Sequence, residues 1–385
     1  MTLLRNGFVV TAHEPSPGEP SDIRIHNTGI AELGQLRPLP GEEIVELDGG
    51  TVGAGLIDLQ CNGALGIDLL SAPERMWELA AQLPRWGVTA WAPTIISSSD
   101  EVVDRAISAV RAGPASDMSD RCAQIVGLHL EGPCLSQTMA GAHPRSSIRL
   151  PAEIDISRWT RDVVALVTLA PEVEGALPLI SELRRRGITV SVGHSAASRE
   201  QAQQGFDAGA TMATHLFNAM SPLHHRAPGV VGAVLAHAQV RASLICDGIH
   251  VDPDVVAISH RLLGERLVLV SDAVAALGLA PGEVMLGGLK LTVTDQDVRL
   301  PDGTLAGSNL SLDSAVRNLM RFSGCSQGDA FRAATLTPAQ LIGRHDLGAI
   351  DVGASADLVV WQDGRVSSTY LRGKRWNDGY SVGQP

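Results

Sequence analysis

The chain has 385 residues, 44% of them hydrophobic and 19% charged, with 40 glycines and 21 prolines, a composition that builds a large core with many tight turns and excludes a disordered chain or a small stapled scaffold. Aromatic residues make up only 3%, so the core must come from Val, Leu, Ile and Ala, as in buried parallel strands covered by helices. A formal charge of −12 without any run of Lys or Arg argues against nucleic acid or an anionic membrane as partner, and an anionic substrate must be met by local cations.

Residues 1 to about 50 contain short extended pieces at 3–4, 8–10, 23–25 and 44–47, separated by turn-forming residues. The other end, with strands expected at 356–361 and 368–371, has the same texture, so 1–50 and 350–385 are expected to meet in one small β-sandwich module. Between them, over 51–349, apolar runs alternate with helical stretches. Eight runs are legible, at 52–59, 88–95, 124–130, 164–170, 188–193, 211–216, 242–247 and 267–271, the number that closes a (β/α)8 TIM-type barrel. Helices are expected at 72–86, 99–112, 176–186, 198–208 and 254–263, then a hairpin at 282–298 and a further helix from about Leu310. The first residues carry too short an apolar stretch for a signal peptide, and the most apolar segment, 267–279, is interrupted by Ser271 and Asp272. The five cysteines, Cys61, Cys122, Cys134, Cys246 and Cys325, are widely spaced and form no CxxC pair, which fits a reducing, cytoplasmic setting.

The acids and imidazoles gather at the C-terminal ends of these runs, where barrel enzymes place their chemistry. The third run ends in His129-Leu130-Glu131-Gly132-Pro133, the fifth in Gly193-His194-Ser195, the sixth in Thr214-His215-Leu216-Phe217-Asn218 and the eighth in Ser271-Asp272-Ala273. Each residue alone has a bland reading as an ordinary hydrogen-bonded side chain. Closure of the barrel would instead bring Glu131, His194, His215 and Asp272 to one mouth. Two imidazoles and a carboxylate suit a divalent metal such as zinc, with Asp272 as the base for a metal-activated water. The first run ends with Gln60 and Asn62 where metal-dependent barrel hydrolases often carry a His-x-His pair. Neutral amides are poor zinc ligands, so one metal is expected, and both amides are free to hydrogen-bond loops or a bound water.

At this point the chain resembles the N-acetylglucosamine-6-phosphate deacetylase family of the amidohydrolase superfamily. The resemblance covers most of the chain and is carried by residues 55–63, 129–133, 141–143, 193–195, 214–220, 226–229, 247–250, 271–273 and 306–308, with 129–133 and 214–220 the most specific segments. It implies hydrolysis of N-acetylglucosamine 6-phosphate to glucosamine 6-phosphate and acetate, in amino-sugar catabolism and cell-wall recycling. Glu131, His194 and His215 would hold one divalent metal per subunit, zinc foremost, with iron, cobalt or manganese as alternatives. Asp272 would act as acid and base, and His143 would polarise the acetamide carbonyl. Asn218, Ala219, Arg226 and His250 would hold the sugar phosphate, with Gln60, Asn62, Ala142, Leu305 and Gly307 as further substrate contacts. Arg226 supplies the cationic fork a phosphate needs, and in this family it can reach a neighbouring subunit's site, which implies a homodimer. Ala227 stands where relatives often have an acid and Cys134 where they often have an aromatic, which leaves the choice between gluco and galacto epimers open.

Other segments suggest rival readings. Gly193-His194-Ser195-Ala196-Ala197 loosely fits a nucleophile elbow, making Ser195 the nucleophile of a serine hydrolase. A dinucleotide fingerprint at Gly53-Ala54-Gly55 fails because Asp58 takes the place of the third glycine, and a P-loop fails because Arg375 follows Gly373-Lys374. A barrel that has lost catalysis conflicts with the intact Glu131, His194, His215 and Asp272.

Overall fold

The computed structural model describes residues 1–11, 18–116 and 118–377; the parts of the expected terminal module at 12–17 and 378–385 lie outside them. Eight parallel strands follow one another around a barrel: Leu56–Cys61, Val88–Ile96, Leu128–Glu131, Val164–Leu169, Thr189–Val192, Met212–Ala213, Arg241–Ile245 and Leu267–Val270. Pairing is sequential, and the ring closes where Cys61 bridges Ala273 in parallel register. There Asp272 N donates to Gln60 O at 2.9 Å and Asn62 N to Ala273 O at 2.7 Å. Asp58 braces the same seam from below, its Oδ1 accepting from the backbone of Gln60 and Ser271 at 3.2 Å each.

Strands buried on both faces need no alternation of polar and apolar residues, which is why they read as continuous apolar runs. The helices outside are one-sided: Ala176–Arg185 buries Ala176, Leu179, Ile180 and Leu183, spaced to share one face. Each large aliphatic side chain so removed from water contributes about 1.5–3 kcal/mol before the cost of ordering it.

Several expected boundaries move for local reasons. The run at 52–59 is two strands: Thr51–Ala54 pairs with Leu358–Gln362 of the C-terminal part, and the chain turns at Gly55 into the barrel strand. The run at 124–130 also splits, at Gly127, whose φ of 118° only glycine adopts readily; a Cβ there would stand 2.8 Å from Ala165 N. The stretch 72–86 is one short helix, Met76–Ala80, between 3-10 turns Pro73–Arg75 and Leu83–Trp86, because Pro73 and Pro84 cannot donate within a helix. The sixth strand is only Met212–Ala213, since the backbone turns left-handed at His215. Behind the eighth strand, 282–298 forms two strands of a three-stranded antiparallel sheet, Gly282–Leu286, Leu289–Val293 and Val298–Arg299.

Strands from both ends of the chain pair as expected. Thr2–Val9 joins Ser21–His26, Gly29–Gly34 and Glu43–Glu46 on one side to Thr51–Ala54, Leu358–Gln362, Arg365–Leu371 and Lys374–Arg375 on the other. Leu4, Ile23, Ile25, Val52, Leu358, Val360 and Tyr370 fill their shared core. No helix among the described residues is long and apolar enough to cross a membrane.

Candidate metal centre and active site

Glu131 is the last residue of the third strand, while His194, His215 and Asp272 each stand two residues beyond the fifth, sixth and eighth. The last three share an unusual backbone, with φ of 47°, 31° and 48°. Such left-handed conformations cost non-glycine residues about 1–3 kcal/mol each and persist only where the surroundings hold them. His215 N is held by Ser243 Oγ at 2.8 Å, and Asp272 is fixed through its N on Gln60 O at 2.9 Å and its O on Ser308 N at 2.8 Å. The strain turns each side chain from the strand direction into the barrel mouth.

Glu131 Oε1 lies 3.2 Å from His194 Nε2 and 3.0 Å from His215 Nε2, and the two Nε2 atoms are 3.1 Å apart. All three residues are buried. His194 Nδ1 faces the Met139 carbonyl at 2.8 Å, an acceptor only, so Nδ1 carries the hydrogen and Nε2 of the neutral ring is left with a lone pair aimed at the carboxylate. Converging lone pairs in a dry interior repel one another unless a cation sits among them. Four-coordinate zinc bonds of about 2.0–2.1 Å space donor atoms about 3.3 Å apart, close to this triangle. The donor set therefore fits a divalent metal, and the Met139 contact orients one ligand as carboxylate and carbonyl partners commonly do. His215 Nδ1 is buried with no partner among the described residues.

Burial opposes ionisation of Glu131, but the imidazoles of His143, His194 and His215 around it outweigh burial and hold the carboxyl well below the usual range. Asp272 goes the other way: burial, followed by the negative charge of Glu131, raises it to about 6. His143 Nδ1 accepts from Ser97 N at 3.2 Å, so the neutral ring carries its hydrogen on Nε2, 3.7 Å from Glu131 Oε2. Burial lowers His143 to about 4, which keeps that ring neutral. A neutral donor and an acid-base carboxyl thus flank the same donor triangle.

These groups open into a cavity of about 250 Å³. Of the residues expected from the sequence, Asn62, Glu131, Ala142, His143, His194, His215, Asn218, Ala219, His250, Asp272, Leu305 and Gly307 all line it. Gln60 does not; it is 1% exposed and lies beneath the wall, its Nε2 on Glu131 Oε1 and Asp272 Oδ1. Arg226 is exposed outside the cavity, its Nη1 donating to His225 Nε2 at 2.8 Å. His250 Nδ1 lies 2.6 Å from Asp247 Oδ2, which fixes its ring in the wall.

Ser195 contradicts the nucleophile-elbow reading: it is fully buried and its hydroxyl donates to Glu172 at 2.7 Å. Cys134 is 1% exposed, and burial pushes its thiol up to about 12, so it offers no thiolate. The sequence reading missed Gly141, Ile96, Ile245, Val274, Leu286 and Thr304 in the wall. Ile96 and Ile245 end the second and seventh strands, and that position was the available signal. Leu286 arrives from the inserted sheet, for which periodicity gives none.

Glu131→Gln removes the one negative charge of the donor triangle at nearly constant shape. Metal retained after dialysis, measured by elemental analysis, should fall at least about tenfold, and stoichiometric retention would contradict the assignment.

The amidohydrolase family profile matches residues 51–376. The N-acetylglucosamine-6-phosphate deacetylase of Danio rerio is 38% identical over 86% of this chain and 85% of its own length. The N-acetylgalactosamine-6-phosphate deacetylase of Escherichia coli O157:H7 is 35% identical over 91% of this chain and 94% of its own. The crystal structure of the N-acetylglucosamine-6-phosphate deacetylase from Pasteurella multocida superposes with a TM-score of 0.90 at 31% identity, covering 97% of this chain and 99% of that one. With the donor triangle at the mouth of a parallel barrel, these similarities establish that the chain belongs to the metal-dependent amidohydrolase family, among the N-acetylhexosamine-6-phosphate deacetylases.

Proposed function

We propose that this protein hydrolyses N-acetylglucosamine 6-phosphate to glucosamine 6-phosphate and acetate. The observation that carries the reading is the convergence of Asp272 and His143 with the Glu131, His194 and His215 triangle on one cavity. A divalent cation held by that triangle, zinc first and iron, cobalt or manganese otherwise, would polarise the acetamide carbonyl and acidify a bound water. Asp272 takes the proton of the attacking water at a carboxylate oxygen. His143 Nε2–H donates to the carbonyl oxygen as charge builds there. Asp272 then returns the proton to the sugar nitrogen as the C–N bond breaks, so acetate and a free amine leave and the carboxylate is regenerated.

In this reading the wall contributed by Asn218, Ala219, Ala142, Leu305 and Gly307 holds the sugar, and His250, its ring fixed by Asp247, serves the phosphate. Arg226 is exposed and does not line its own chain's cavity, which favours a homodimer in which it serves the partner's. Five unpaired cysteines favour a reducing cytoplasm. The proposal keeps the division into a 1–50 plus 350–385 module and a 51–349 barrel; of the module's strands only Thr51–Ala54 crosses that border. Because the Escherichia coli relative is named for the galacto epimer, both epimers belong in any assay.

Asp272→Asn keeps the shape and removes the proton acceptor. Its kcat should fall by roughly 10²–10⁴ with metal content unchanged, and an active Asp272→Asn enzyme would overturn the mechanism. Arg226→Ala should raise KM for the phosphorylated sugar by at least about tenfold while leaving slow turnover of N-acetylglucosamine itself unchanged. Equal loss on both sugars would remove Arg226 from phosphate binding.

A further inference from the structure

We propose that Gln60 and Asn62 are positioning residues that clamp one oxygen of Asp272 and thereby make the other oxygen the one that carries the proton. The proposal rests on the acid-base role of Asp272 given above. Gln60 Nε2 donates to Asp272 Oδ1 at 3.1 Å and Asn62 Nδ2 donates to the same oxygen at 2.8 Å. A carboxylate oxygen has two lone pairs, so Oδ1 is saturated. Among the described residues nothing bonds to Oδ2, while Asp272 lines the cavity.

The backbone of Asp272 is already pinned, by Gln60 O on one side and Ser308 N on the other. What remains free is rotation of the carboxylate, and the two amides remove it. Gln60 holds residue 272 twice, with its carbonyl at the main chain and its amide at the side chain. The same Nε2 lies 3.0 Å from Glu131 Oε1, so one nitrogen fixes the spacing between the acid-base carboxyl and the metal triangle.

The orientation of both amides follows from what they touch. Turning either round would set its carbonyl oxygen against a carboxylate. In the orientation that remains, Gln60 Oε1 and Asn62 Oδ1 are buried without partners among the described residues. Unpaired buried amide oxygens are costly, and the pair is tolerated here because the hydrogens on the opposite ends are committed to charged acceptors. Substrate contact explains neither the burial of Gln60, 1% exposed, nor the convergence of two donors on one oxygen.

The test uses Asn62→Leu and Gln60→Met, which keep volume and remove the donors. Each should lower kcat by roughly tenfold to a hundredfold, with KM changed by less than about twofold, and retain bound metal. Crystal structures of the variants should show the Asp272 carboxylate rotated from its position in the unsubstituted protein. A raised KM with kcat intact would make these residues substrate contacts and overturn the clamp. Metal lost in step with activity, or an Asp272 carboxylate that stays where it was, would overturn it as well. Acetate release by the unsubstituted protein is the separate control: its absence would overturn the deacetylase reading, while the carboxylate position would still decide the clamp.

Discussion

Two imidazole nitrogens and a carboxylate oxygen held 3.0–3.2 Å apart in a buried pocket set the terms for everything around them. With the His194 hydrogen committed to the Met139 carbonyl, its Nε2 lone pair faces the Glu131 carboxylate, and that carboxyl is held ionised by the imidazoles around it. A cation resolves the conflict, and the protein spends stability elsewhere to keep the triangle in shape. The left-handed backbone at His194 and His215 is such a cost, and so is the same conformation at Asp272. Hydrogen bonds to the Met139 carbonyl, Ser243, Gln60 and Ser308 keep these residues from relaxing.

The seam between the first and eighth strands ties this centre to the fold. It closes the barrel through Cys61 and Ala273, and from the same few residues come Gln60, Asn62 and Asp272. Barrel closure and acid-base geometry are therefore one set of hydrogen bonds, braced below by Asp58. The inserted sheet has a separate task. It brings Leu286 to the cavity, packed with Ile96 and Val274, and covers with apolar surface a mouth that the barrel strands leave open.

Much of this was legible in the sequence, because strands buried on both faces leave continuous apolar runs and the residues that end them are the ones that reach the mouth. Glu131, His194, His215 and Asp272 were found by that rule, and the structure brings them together. Boundaries were harder where one residue changes the backbone direction: Gly55 and Gly127 divide runs whose apolar character is unbroken, and Pro73 and Pro84 shorten a helix whose periodicity continues past them. The partners of Gln60 were not legible, since Glu131 and Asp272 lie far from it in the chain and meet it only after closure. Nor was Ser195 excluded until Glu172, from another loop, was seen to take its hydroxyl.

The most direct test is acetate release from N-acetylglucosamine 6-phosphate by the purified protein as isolated, after exhaustive chelation, and after zinc is restored. A metal triangle serving a deacetylase requires activity that is lost on chelation and returns with metal. Activity that survives complete removal of metal, verified by elemental analysis on the same sample, would contradict it.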